Sequence, residues 1–421
     1  MLVLAFYPAA CTVFGVGDEG GDARGDAAGG DGEGGDGGGE GGHGVGGAGE
    51  GGSGQSEIVA CSEATVFSGV PTFSGDLIGQ DPHGHPINAE PPLLFHDIAF
   101  QGDTLGVATQ AELWSLDTSA PEPEYVRIAG ENGTFGFQPG ACSQARFANA
   151  HGLAALPDGD WLVADYVGNN ILLVTAPGAA ECEVKVVAGN AESFSGVETT
   201  PHLPGDQDGV GAVAKLNGPR DLTTDMAGNA FFVDVGNKKL KKLHAPVPND
   251  EGRLVTTLAT LATADYTASQ LSLNATTVLD DYVYLAGSTT TSHDIVVRVP
   301  TGGGDVEVIY DTFEELDGVA GTAANWNAMS HDGTALLIAG AAGRIWRMTT
   351  DGEVQPYLAG GGKVPGLNPD NYDFTLPFPA KDAPMQSQST VSDTMAIHDG
   401  SIFIPSVANG TGFWLWQFRC D

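Results

Sequence analysis

The feature that most constrains this chain is a short unit of strand, glycine turn, strand, glycine turn and strand that recurs along it. The clearest copy is LNGPRDLTTDMAGNAFFVDVGNKKLKKL, residues 216–243. A three-strand meander of this length cannot bury its own faces, so something must complete it. Degraded copies run through HDIAFQGDTLGVATQAELWSL (96–116), AHGLAALPDGDWLVADYVGNNILLV (150–174), ATTVLDDYVYLAGSTTTSHDIVVRV (275–299), NAMSHDGTALLIAGAAGRIWRM (327–348) and DTMAIHDGSIFIPSVANGTGFWLWQF (393–418). With residues 216–243 they make six.

Each copy follows one grammar. A short strand A leads to a turn such as Asp158-Gly159, Asp280-Asp281, Asp332-Gly333 or Asp399-Gly400, pairs that supply the positive φ of a tight hairpin. Strand B is strongly apolar and ends in a small or acidic residue. A second turn, with Gly168-Asn169 or Gly236-Asn237, introduces strand C. A fourth strand follows most copies: VRIAG at Val126, VKVVAG at Val184, LVTTLA at Leu254, VEVIY at Val306 and VQPYLAG at Val354. Four antiparallel strands per repeat form one propeller blade, and the turns leave little room for helices. The expected fold is therefore all-β: a six-bladed β-propeller of four-stranded antiparallel blades.

AKLNGPRDLTTDMAGNAFFVDVGNKKLKKL resembles an NHL repeat, the blade unit of six-bladed NHL propellers. The preceding GDQDGVGAVA resembles the linker which that family places between blades. The resemblance is strongest from about Val126 to Leu261. It implies a platform for protein or ligand binding. A related set of six-bladed propellers, the lactonases, implies instead a metal at the channel mouth.

The sixth copy supplies strands A to C and lacks a fourth. EATVFSG, residues 63–69, precedes the first copy without a blade of its own and is expected to pair there. Cys61 and Cys420 would then be neighbours and could lock the ring with a disulfide. Cys142 and Cys182 fall within the second repeat unit and form the other expected pair. Both bonds need an oxidising compartment; the alternative is four free buried thiols. The fifth cysteine is Cys11, and no pair has CxxC spacing.

MLVLAFYPAAC resembles the tail of a bacterial lipoprotein signal peptide, which would make Cys11 the lipidated residue; the alternative is an apolar end without a role. Residues 12–56 read as a disordered linker rich in Gly, Asp and Glu, since such a chain cannot bury apolar area to offset its entropy. The division is then 1–11 signal-peptide remnant, 12–56 tether and 57–421 propeller. A lipid anchor with an acidic spacer would hold a folded domain off an anionic surface. The chain carries 17 Lys and Arg against 54 Asp and Glu, which argues against nucleic acid or a bare anionic membrane as partner. Localisation is expected in the bacterial envelope or outside the cell, as a monomer, with membrane attachment only through lipid.

In a propeller the loops leading into strand A and those leaving strand B share one face around the central channel. That face should carry His96, Asp97, His151, Arg220, Asp221, Asn325 and Asp393 from the first set, and Asp165, Asn169, Asp234 and Asn237 from the second. Under the lactonase-like reading, His96, His151, Asp165 and Asp234 would hold calcium or zinc and activate water. Asp165 and Asp234 also fit a structural role, since an acid ending strand B commonly accepts backbone N–H bonds in the turn. His331 and His398 belong to the opposite face and are expected to be solvated. Gly205–Gly211, GDQDGVG, lacks the bidentate acid of a calcium loop and reads as linker. No nucleophile elbow, HExxH, P-loop or dinucleotide fingerprint appears. The first reading of function is a non-enzymatic binding scaffold for a protein or small ligand, without cofactor; the alternative is a metal-dependent hydrolase or lyase.

Overall fold

The computed structural model describes residues 63–71, 95–120, 123–131, 136–195, 204–247, 252–291, 293–312, 326, 328–340, 345–358, 378–379, 394–407 and 412–420. All belong to the compact unit Gln55–Asp421. Cys11, Cys61, Asn325, Asp393 and the tether lie outside the described residues.

Six antiparallel blades make up the propeller, each with strands A to D ordered outward from the bore; blades 2, 3 and 6 carry a two-residue fifth strand beyond D, which in blade 6 is Phe378–Pro379. Blade 1 runs through Asp97–Gln101, Thr104–Ala108, Glu112–Asp117 and Tyr125–Gly130. Blade 2 runs through Ala150–Ala155, Trp161–Asp165, Asn170–Thr175 and Glu183–Gly189, and blade 3 through Pro219–Thr224, Ala230–Asp234, Lys239–Leu243 and Leu254–Thr260. Blade 4 is Leu271–Leu279, Tyr282–Thr289, Asp294–Pro300 and Glu307–Thr312; blade 5 is Ala328–His331, Leu336–Ala339, Ile345–Met348 and Val354–Leu358. Blade 6 takes Ala396–His398, Ser401–Val407 and Gly412–Arg419 from the end of the chain and Glu63–Pro71 from its beginning. Glu63 lies opposite Arg419 and Pro71 opposite Gly412, so the two ends share one sheet as expected. Cys420, one residue beyond that sheet, is disulfide-bonded.

The core lies between blades. One cluster joins Leu162 and Ala164 of blade 2 to Leu222, Phe232 and Leu243 of blade 3. Another joins Tyr284 and Val296 of blade 4 to Ile338 and Trp346 of blade 5, around Trp326. A third joins Leu105 and Trp114 of blade 1 to Phe403 and Leu415 of blade 6. Trp114, Trp161, Trp326 and Trp346 are all buried, each contributing on the order of 2–3 kcal/mol through area removed from water. These indoles therefore pack blades together and line no groove.

The linkers before blades 2 and 3 add a fifth, two-residue edge strand. Gly140–Ala141 pairs with Glu183 and Val184, and Gly209–Val210 pairs with Leu254 and Val255. Such pairing covers part of an otherwise open sheet edge. In blade 2 the cover is fixed by the Cys142–Cys182 disulfide. In blade 3 it is fixed by ions: Lys241, fully buried in strand C, reaches Asp208 at 3.0 Å, Asp206 at 3.3 Å and Asp234 at 3.8 Å. Lys239 meets Asp206 at 2.5 Å, and Asp208 also accepts from the Thr257 N–H at 2.8 Å. The acids of GDQDGVG thus act as the linker's clasp.

Candidate functional site: the channel and its mouth

Strand A of every blade has one edge facing the bore, with no sheet neighbour to satisfy its backbone. Polar side chains do this work instead. Asp97 is buried and accepts from its neighbour Ile98 N–H at 2.8 Å, from Leu153 N–H of blade 2 at 2.7 Å and from the Thr394 hydroxyl beside blade 6. Thr224 of blade 3 donates to the Ala155 carbonyl of blade 2 at 2.9 Å, and Thr276 of blade 4 donates to the Asp221 carbonyl of blade 3 at 3.1 Å. The bore encloses about 300 Å³ and is lined from strand A residues of all six blades. Its polarity is a structural necessity before it is a chemical resource.

At the mouth, strand A is irregular in three successive blades. The register slips between Ala150 and Gly152, between Arg220 and Leu222, and between Leu273 and Ala275. The extra residues are His151, Asp221 and Asn274. A bulge re-aims the residue it inserts. Asp221 carries the tightest version, with φ +59°. Its N–H lies 2.7 Å from where a Cβ on Gly152 would sit, so blades 2 and 3 meet at a position that admits only glycine.

The structure brings His96, His151 and Arg220 together. The His96 and His151 rings are 4.7 Å apart, and His151 is 5.8 Å from the ring of Tyr166. His96 Nδ1 lies 3.2 Å from the Ala150 carbonyl oxygen; a carbonyl only accepts, so that nitrogen carries the proton. Burial pushes His151 down to about 3, and the nearby Arg220 charge and His96 push the same way. His151 is therefore a neutral imidazole throughout the physiological range. Tyr166 is absent from the sequence-based set, although an aromatic directly after the acid that ends strand B was the available signal. Its ring rests on blade 3, 2.7 Å from where a Cβ on Gly218 would lie.

Asp165 and Asp234 are placed otherwise. Both are fully buried at the end of strand B. Asp165 accepts the N–H groups of Ala148, Asn149 and Gly168 at 2.7, 2.8 and 2.9 Å. Burial pushes its carboxyl up, against these donors. Asp234 accepts from Asn217 N–H at 2.6 Å and Asn237 Nδ2 at 2.7 Å, and burial raises it to about 6. Asn169 ties blades 2 and 3 by accepting from Gly218 N–H at 2.8 Å; Asn237 Nδ2 also reaches the Gly205 carbonyl at 2.7 Å. Among the described residues, no group of three or more His, Cys, Asp or Glu side chains is arranged to hold a metal ion.

The two histidines assigned to the opposite face differ from expectation. His331 lines the bore and is half-buried; burial pushes it down, and its Nδ1 accepts from Gly333 N–H at 3.1 Å. His398 stacks on Phe100 at 4.3 Å and meets Asp103 at 3.1 Å. Both were expected to be solvated because they belong to opposite-face turns; each is instead partly buried, His398 against the Phe100 ring and His331 at the bore.

No protein-family model and no curated protein matches the chain. Among solved structures it is similar to virginiamycin B lyase from Staphylococcus aureus, at 10% identity over 78% of this chain and 95% of that one, with a TM-score of 0.42. It is also similar to a gluconolactonase from Xanthomonas campestris, at 13% identity over 78% and 86%, TM-score 0.42. A chain of a nidogen/laminin complex is similar at 10% identity over 73% and 89%, TM-score 0.42. At these values the likeness does not extend to function, and the propeller stands on its own strand pairing. No helix among the described residues is long and apolar enough to cross a membrane.

Proposed function

We propose that this propeller is a binding domain that takes a protein or small ligand at the channel mouth, and that it performs no metal-dependent hydrolysis or elimination. The observation that carries the reading is the fate of the acids. Asp97, Asp165 and Asp234 are each occupied by two or three donors of the fold itself. The mouth gathers two imidazoles, a phenol, the Arg220 guanidinium and a single further carboxylate, Asp221, a set that suits recognition better than hard-cation coordination.

The buried Cys142–Cys182 disulfide supports an oxidising, exported setting. With it we propose that the repeats are NHL-like, that Cys11 carries a lipid, and that the acidic glycine segment displays the domain on a bacterial envelope. Elemental analysis of the purified full-length chain tests the binding reading. The expected result is no stoichiometric calcium or zinc. Stoichiometric metal that disappears in His151→Ala would replace this reading with the lactonase-like one.

A further inference from the structure

Eight large apolar side chains are exposed among the described residues, and five of them sit on blade 3 and its linker: Val210, Val213, Met226, Val247 and Leu254. Their positions are tied together. Val210 lies opposite Leu254, and Gly209–Val210 is the outermost strand of its sheet. Val213 donates its N–H to the Val210 carbonyl at 3.1 Å, and its Cγ1 lies 2.7 Å from where a Cβ on Gly209 would sit. The Leu254 carbonyl accepts from His244 N–H at 2.8 Å. Arg253, beside it, donates to the carbonyls of His244 and Gly228, and Ala245 N–H donates to Asn229 Oδ1 at 2.9 Å. These bonds bring the turn carrying Met226 against the loop leading to Val247. The patch runs from the linker edge to the A–B and C–D turns, away from the mouth, so it is independent of the proposed mouth ligand.

Charge singles out the same blade. Residues 204–261 hold seven Lys and Arg against seven Asp and Glu; the remainder of 57–421 holds nine against 38. Blade 3 is neutral, and the rest of the propeller carries the whole negative excess. A basic partner would be drawn to the other blades, whereas an acidic one is repelled least by this one. The acidic body always present is a second copy of the chain. Blade 3 meeting blade 3 about a two-fold axis puts apolar side chains against each other and the acidic remainders on far sides. The five side chains are 38–92% exposed, together on the order of 500 Å², close to the apolar share of a standard interface of about 800 Å² per partner.

We propose that two copies of this chain associate through blade 3, so that it is a weak dimer in place of the expected monomer. Sedimentation equilibrium of the full-length chain at about 0.1 M and about 0.5 M salt tests it. A micromolar dissociation constant is expected, at least about threefold tighter at the higher salt, because screening weakens the repulsion between two acidic bodies and leaves apolar contact in place. Val213→Glu with Met226→Glu should weaken the dimer by at least about tenfold. Met226→Glu alone, at a side chain 92% exposed and so without effect on the core, should weaken it by at least about threefold. Val126→Glu, at a similarly exposed valine of blade 1, should leave it unchanged. A chain monomeric at both salts, a dimer untouched by the blade 3 variants, one that loosens as salt rises, or one broken equally by Val126→Glu would each overturn blade 3 as the self-association face.

Discussion

In blade 2 the linker edge Gly140–Ala141 is held by a covalent bond; in blade 3 the matching edge Gly209–Val210 is held by a buried ammonium. The backbones correspond closely. Cys142 N–H donates to the Cys182 carbonyl at 3.0 Å, and Gly211 N–H donates to the Arg253 carbonyl at 3.1 Å. Where blade 2 has two sulfurs, blade 3 has glycine, with φ +56°, beside an arginine. Strand C differs in the complementary way: Leu172, opposite Val163, is replaced by Lys241, opposite Phe232. The lesson is that edge cover is what the fold requires, and that chemistry of opposite character can supply it. A disulfide acts by restricting the unfolded chain and is indifferent to pH. A buried ion cluster acts in the folded state and depends on every partner keeping its charge.

The largest test removes the covalent clasp. Cys142→Ser with Cys182→Ser opens a loop of 40 residues, for which chain entropy gives a loss of about 4 kcal/mol. Denaturant unfolding should show it, and a reductant should reproduce it in the unmutated protein. An unchanged midpoint would mean that blade 2 does not need its clasp.

A smaller effect is expected from making blade 3 resemble blade 2. Lys241→Leu fills the strand with the residue found at the matching position but leaves Asp234 buried without its cation. Asp206 and Asp208 are 40% and 43% exposed and lose less. The expected cost is about 2–3 kcal/mol, below the usual range for breaking a buried pair because of that exposure. Adding Asp206→Asn and Asp208→Asn should recover part of it in the same unfolding assay.

The smallest effect is local and depends on acid. Asp206 is held below the usual carboxylate value first by its hydrogen bond from Lys239, and Asp208 by the Thr257 and Lys241 donors, which outweigh burial. Their unfolded forms protonate first, so the clasp is complete above about pH 4 and is lost as pH falls through the lower folded values. Asp234 runs the other way: raised to about 6, it opposes folding increasingly as pH rises from 3.8 to 6. Along a series of falling pH, pepsin should therefore begin to cut within 204–216 before it cuts within 138–146. Equal cutting of the two linkers would show that the ionic clasp does not open.

Much of this architecture was legible in the chain. Asp-Gly turns between apolar runs mark hairpins wherever they occur, and an orphan strand before the first blade with a missing strand after the last leaves one arrangement. The reading of residues 205–211 as linker also holds, since the segment pairs along the edge of blade 3 and its acids meet Lys239 and Lys241. The bulges at His151, Asp221 and Asn274 were not legible, because a one-residue slip in pairing leaves the hydrophobic alternation of neighbouring blades unchanged. Lys241 reads as a surface lysine in KKLKKL until strand register shows which of the four turns inward. Asp97 appeared as a candidate for ligand contact; that its oxygens are spent on Ile98, Leu153 and Thr394 depends on contacts across most of the domain. Local grammar survives in one sequence, whereas partners far apart in the chain do not announce one another.

The strand Glu63–Pro71 has a consequence for how the molecule is made. Blades 1 to 5 draw their strands from contiguous segments, so each can assemble as it leaves the ribosome. The sixth cannot: its outer strand is synthesised before all the others and is paired after all of them. A growing chain must therefore carry Glu63–Pro71 unpaired until the later strands are made, and a truncation before Gly412 would leave it only the short partner Phe378–Pro379.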